Sequence, residues 1–141
     1  MRLSNMADYA VVTMSAAARH CGGVRVSATD LAGETGLPLP TVQKLVSLLT
    51  RAHLLRSARG AHGGLQLARP AAAISLADIV EAVEGPIAIA SCCEDGRHDC
   101  ALEGACAVQP HWAKVNTTLR SALAAVPLTQ LARPRPAEAA L

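Results

Sequence analysis

Pro40-Thr41-Val42-Gln43-Lys44-Leu45-Val46-Ser47-Leu48-Leu49-Thr50-Arg51 decides the fold of this chain. Val42, Leu45, Val46 and Leu49 recur at the spacing of a helix with one apolar stripe. The other face shows Thr41, Gln43, Lys44, Ser47 and Arg51. Pro40 suits the first helical position, where its missing N–H costs nothing. Upstream, Ser27-Ala28-Thr29-Asp30 has the form of a capping box, so a shorter helix starts there, turns Leu31 and Ala32 inward and stops at Gly36. Two short helices joined by Leu37-Pro38-Leu39, the second with a polar and basic outer face, make a helix-turn-helix.

The neighbouring segments extend this unit. Leu54 to Ala58 and Leu65 to Ala68 are extended runs around the glycine-rich turn Arg59-Gly60-Ala61-His62-Gly63-Gly64. Such a β-hairpin directly after a helix-turn-helix is a wing, whose glycines allow close approach to a phosphate backbone. Before the unit, Ser4 caps a helix with Ala10, Val11, Met14, Ala17 and Ala18 at helical spacing, ending near His20. After it, Ser75 to Asp78 caps a fourth helix carrying Leu76, Ile79, Val80 and Val83, closed by Gly85-Pro86. Pro110 opens a longer helix with Trp112, Val115, Leu119 and Leu123 on one side. A lone helix of that kind needs a partner surface, most simply its symmetry mate.

The fold class is therefore mainly α with a small β-hairpin. A winged helix-turn-helix domain spans 1–86 and a cysteine-rich loop 87–109. A long dimerisation helix with a short helical turn spans 110–131, and a disordered tail 132–141.

Composition and charge agree with a DNA-binding half. With no Phe, one Trp and one Tyr, the core must be built from Ala, Leu and Val. Residues 1–70 carry eight Lys/Arg against three Asp/Glu, and residues 71–141 carry five against eight. A basic first half points to nucleic acid there and to another role for the second half. No apolar run approaches transmembrane length, and Asp8 and Thr13 interrupt the apolar stretch of the N-terminus. The expected location is cytoplasmic, with no membrane partner. No nucleophile–base pair and no phosphate-binding loop is present, which argues against catalysis and a small-molecule substrate.

The loop holds the remaining chemistry. Cys92, Cys93, Cys100 and Cys106 lie within fifteen residues of glycine-interrupted sequence, and Cys21 stands apart at a helix end. In a reducing compartment such a cluster marks metal ligands or redox thiols more often than disulfides. Three cysteines with His111 would satisfy a tetrahedral zinc site. Soft thiolates would equally suit an iron–sulfur cluster.

Particular stretches resemble the bacterial IscR/NsrR-type winged-helix regulators of the Rrf family. They are Met1-Arg2-Leu3-Ser4, Asp8-Tyr9-Ala10, Arg59-Gly60-x-x-Gly63-Gly64, Ile79 to Gly85, the three-cysteine loop and Trp112. Glu84 to Ala88 and Cys106-Ala107-Val108 look most like the regulators of the SUF cluster-assembly operon. The resemblance implies a homodimer and an iron–sulfur cluster held by Cys92, Cys100 and Cys106, with Cys93 as the rival to Cys92. It implies 2Fe–2S ahead of 4Fe–4S. It makes Asp8, reaching from the opposite subunit, a candidate fourth ligand beside His111. Gln109 stands where the cluster-assembly regulator has a histidine, which leaves that ligand open.

The expected function is a transcription regulator that senses cluster status and controls promoters, those of iron–sulfur assembly genes first. Thr41, Gln43 and Lys44 would approach base edges of double-stranded operator DNA. Ser47, Arg51, Arg59 and, as a further candidate, Arg2 would hold phosphates. The rivals are a zinc- or thiol-redox-dependent DNA-binding repressor and an iron–sulfur carrier that binds no DNA.

Overall fold

The structure is a computed structural model that describes residues 1–20, 25–58, 63–97 and 99–134. Among the described residues, six α-helices and one two-stranded sheet follow in the order α1 (Asn5–Ala18), α2 (Ala28–Thr35), α3 (Leu39–Arg51), β1 (Leu55–Ala58), β2 (Gly64–Leu67), α4 (Leu76–Glu84), α5 (Gln109–Ala124) and α6 (Leu128–Leu131). The class is mainly α with a small hairpin, as expected.

Local chemistry fixes the helix starts. The Ser4 hydroxyl accepts the Ala7 N–H at 3.1 Å and caps α1. Ser27 and Asp30 form a full capping box on α2, each side chain accepting the other's backbone N–H at 3.0 Å. Ser75 and Asp78 repeat that arrangement on α4 at 2.9 and 3.1 Å. The recognition helix α3 begins one residue before Pro40, with Pro38 at its cap.

The end of α3 carries no glycine. His53 takes the left-handed conformation (φ 60°) that glycine usually fills there. Its N–H donates to the Thr50 carbonyl at 3.0 Å, and the Leu54 N–H donates to the Leu49 carbonyl at 2.9 Å. Leu49 and Leu54 are both buried, so the turn is sealed by an apolar contact.

The core sits between α1 and the helix-turn-helix. Ala10, Met14 and Ala17 of α1 meet Leu31 of α2, Val42, Leu45 and Leu49 of α3, and Ile79 of α4. Small alanines on α1 let four helices and the wing pack closely around it. The wing is antiparallel, with Leu55 opposite Leu67 and Ala58 opposite Gly64. Val26 adds a third, one-residue strand: its N–H donates to Leu65 at 3.2 Å and its carbonyl accepts from Leu65 at 2.7 Å.

The chain end returns to this core. The Leu128 N–H donates to the Ile74 carbonyl at 2.8 Å, and the Leu76 N–H donates to Val126 at 2.9 Å. Leu128 is fully buried, and Leu131 and Ala132 pack beside it. The short helical turn thus packs into the DNA-binding unit, while α5 buries no residue completely within the protomer. Of the expected tail, residues 135–141 lie outside the described residues.

Candidate functional site

The first part of the site is the outer face of α3. Its inner stripe, Val42, Leu45 and Leu49, is buried, which presents Gln43, Lys44, Ser47 and Arg51 outward; all four are exposed. Thr41 is half-buried and so offers less to a groove than its neighbours. Arg59 and His62, expected in the turn of the wing, lie outside the described residues. Arg2 is exposed, and it lines a groove of about 440 Å³ with Glu84, Ile87 and Glu94 on the α4 and α5 side.

The wing root shows two features that composition did not single out. Arg56 is exposed, and its Nε and Nη2 both donate to the Gln66 side-chain oxygen, at 3.2 and 3.1 Å. The cross-strand bond fixes a guanidinium on the solvent side of the hairpin, a second candidate for phosphate contact. The alternation of Arg56 with buried Leu55 was the signal available in sequence. Gly64 is small for an internal reason: a Cβ there would stand 2.9 Å from the Arg25 Cβ and 3.2 Å from the Val26 carbonyl oxygen. The close approach at this glycine is protein to protein.

The second part is the loop between α4 and α5. Its root is pinned. Asn116 of α5 accepts the Ile89 N–H at 2.8 Å and donates to the Ile87 carbonyl at 2.9 Å. Glu81 of α4 receives Arg120 at 2.8 and 3.1 Å and the Ile87 N–H at 3.4 Å. That carboxylate raises the Arg120 pKa above its ordinary value, first through its hydrogen bonds and then through its charge. Beyond the root, Ser91–Cys93 is a single 3-10 turn. Gly96 and Gly104 then reverse the chain with φ of 76° and 83°, angles that a side chain would strain. Arg97 joins Glu94 and Asp99, the latter at 3.1 Å, across the loop. These bonds raise the Arg97 pKa.

This folding places Cys92, Cys100 and Cys106 on the wall of one cavity of about 570 Å³, together with Gln109 and Trp112. Cys93, Asp8 and His111 are not on that wall. Glu94, Asp95 and Glu103 are, carboxylates that spacing alone did not pick out. Cys92 and Cys100 are exposed, Cys93 and Cys106 half-buried, and all four are free thiols. Loss of solvent, then the adjacent Cys93, push the Cys92 thiol above its ordinary value. Among the described residues no three His, Cys, Asp or Glu side chains converge on one ion-sized point. Asp8 is exposed on α1, His111 is exposed in the first turn of α5, and Cys21 and His98 lie outside the described residues.

The family described as iron-dependent transcriptional regulators, Rrf2, matches residues 3–134. The chain belongs to the Rrf2 family. Among Rrf2-like relatives, a Mycobacterium tuberculosis protein named as an HTH-type transcriptional regulator is 35% identical over 133 residues, covering 94% of this chain and 81% of its own. The solved structure of CymR, the global cysteine regulator of B. subtilis, superposes with a TM-score of 0.72 at 26% identity, covering 94% and 96% of the two chains. That of T. potens IscR gives 0.69 at 27% identity, covering 93% and 85%. The chain is a DNA-binding transcription regulator and not an enzyme. Among the described residues no helix is long and apolar enough to cross a membrane.

Proposed function

We propose that this Rrf2 regulator is a homodimer whose operator binding depends on an iron–sulfur cluster held by Cys92, Cys100 and Cys106. The observation that carries the reading is the shared cavity: the three cysteines spaced as in the family line it, and Cys93 does not. The donor set fits. Thiolates on a loop suit iron–sulfur centres, and the likeness to an IscR structure points the same way. A single zinc ion needs donors about 2.3 Å from one point. Three thiolates on one cavity wall would serve either group, and the likeness to IscR favours the cluster. The 2Fe–2S form is preferred to 4Fe–4S on the family resemblance alone.

When bound, the cluster supplies a fixed, redox-sensitive crosslink between the two halves of the loop. The chain's own residues carry the consequence. Asn116 and Glu81 tie the loop root to α5 and α4, so the shape of the loop bears on both helices. The side of α5 with Trp112, half-buried, and Val115, 42% exposed, seats a second copy. The α5 pair sets the separation of two α3 helices, and half-sites about 34 Å apart tolerate little error. Asp8 from the partner or His111 completes the ligand set. Promoters of iron–sulfur assembly genes are the proposed targets.

The test is anaerobic purification followed by an absorption spectrum and iron, sulfide and zinc analysis. Iron and sulfide in equal amounts are expected. A colourless zinc protein overturns the cluster reading. A metal-free protein whose DNA binding responds to oxidant supports the thiol-based alternative, which the likeness to CymR keeps in view.

A further inference from the structure

Leu39 opens α3 with 37% of its surface exposed. It belongs neither to the buried core nor to the apolar side chains packed against it, whereas its neighbours Leu37 and Val46 do. Part of its isobutyl group is left open to solvent. Gln43 lies one turn further along and Ser47 two turns, so Leu39, Gln43 and Ser47 stack on one exposed face of the helix. Lys44 is exposed beside them. Pro38 and Pro40 flank Leu39 and restrict the backbone that carries it. The result is one apolar group, held in place, at the leading end of a polar reading face.

In the major groove the base edges offer donors, acceptors and one apolar group, the thymine 5-methyl. We infer that Leu39 is a specificity-determining residue that packs on a thymine methyl beside the base met by Gln43. The inference rests on α3 being the helix that enters the groove. Contact removes apolar surface of both partners from water, so the methyl is worth about fourfold in affinity per half-site, the usual value for one buried carbon group. Leu39 reads the methyl and makes no hydrogen bond, so cytosine, which lacks the methyl, is rejected at that position by the same means.

The test uses the full chain, isolated anaerobically, and duplexes that it enriches from a random DNA pool. Each thymine of the enriched duplex is replaced in turn by deoxyuridine, which removes only the methyl. One thymine per half-site should weaken wild-type binding by about fourfold when replaced. Leu39→Ala should bind the two duplexes equally, Leu39→Met should keep the preference, and Gln43→Ala should keep it too. Wild-type protein indifferent to every replacement overturns the inference, as does a Leu39→Ala protein that still discriminates. A protein that enriches no sequence at all brings down the groove assignment of α3, and this inference with it.

Discussion

Asn116 and Ile89 stand 27 positions apart in sequence, across the cysteine loop and the start of α5, and the Asn116 side chain closes that span by accepting the Ile89 N–H at 2.8 Å. The same amide donates to Ile87 at 2.9 Å. An amide side chain here does what a neighbouring strand would do, satisfying a donor and an acceptor of the segment that leads into Cys92. Asn116→Ala should therefore leave two partly buried backbone groups unpaired and cost about 1–3 kcal/mol. It should also speed loss of visible absorbance from the loaded protein in air. Asn116→Asp keeps the acceptor and loses the donor, and should fall between. A urea titration and a bleaching time course on the three proteins check both parts. If Asn116→Ala matches wild type in both, the loop root is held by something else.

The shared cavity separates the cysteines. Cys100→Ala and Cys106→Ala should abolish iron retention, and Cys92→Ala should cost more iron than Cys93→Ala, because only Cys92 of that pair lines the cavity. Cys21→Ala should leave iron content unchanged. Asp8→Ala should shift the visible spectrum if the partner subunit supplies the fourth ligand, and His111→Ala should then do little; the opposite pattern gives the role to His111. Full iron content in Cys100→Ala would refute the assignment.

Asp30 connects the fold to pH. The Ser27 backbone N–H, and after it the Ser27 side chain, hold its carboxyl below the ordinary carboxylate range. A folded pKa below the unfolded one adds stability above the unfolded value, and the contribution disappears as pH falls through the folded value. Asp30→Asn should thus be less stable than wild type at neutral pH and converge with it in acid. Urea midpoints between pH 7 and pH 3 measure this. A gap that stays constant across the range assigns the effect to something other than the charge.

Two exchanges involving glycine should both stabilise, for opposite reasons. His53 bears a left-handed backbone at φ 60°, which costs an ordinary residue about 1–2 kcal/mol; His53→Gly removes that strain and should gain roughly half of it after the extra freedom of the unfolded chain. Gly33 sits within α2 with open space where a Cβ would go, so Gly33→Ala should gain about 0.5–1 kcal/mol. Both are read as shifts in urea midpoint at constant slope. A loss of stability in His53→Gly would mean that the imidazole has a structural task.

These positions also show which parts of the fold the sequence carries openly. Ser27 with Asp30, and Ser75 with Asp78, announce helix starts because the bonds span three residues. The α3 stripe is equally local. His53 hides the end of α3, since only glycine would have signalled a left-handed turn. The seat of Leu128 on Ile74 is invisible for another reason: it pairs short apolar segments more than fifty residues apart. Within the loop, spacing locates the cysteines, but the choice of Cys92 over Cys93 for the cavity depends on the 3-10 turn at Ser91–Cys93. Asn116 gave no signal, being one polar residue among several on α5.

The division of labour on DNA can be tested at Gln43 and the basic residues. Gln43 is exposed on the reading face, Arg51 closes α3, and Arg59 is the wing residue expected from the sequence. Base contacts carry sequence information and phosphate contacts do not. Gln43→Ala should reduce the preference for operator over scrambled duplex by about 1–3 kcal/mol if Gln43 meets adenine through two hydrogen bonds. Arg51→Ala and Arg59→Ala should weaken both duplexes alike and reduce the salt slope by roughly one for each lost phosphate contact. Arg56→Ala should behave like them if the guanidinium fixed by Gln66 reaches the backbone of the duplex. Arg2 lines the groove on the α4 and α5 side, so Arg2→Ala should change the salt slope less than Arg51→Ala. Titrations at several salt concentrations on both duplexes distinguish the roles. A preference that survives Gln43→Ala and collapses in Arg59→Ala would move sequence reading from α3 to the wing.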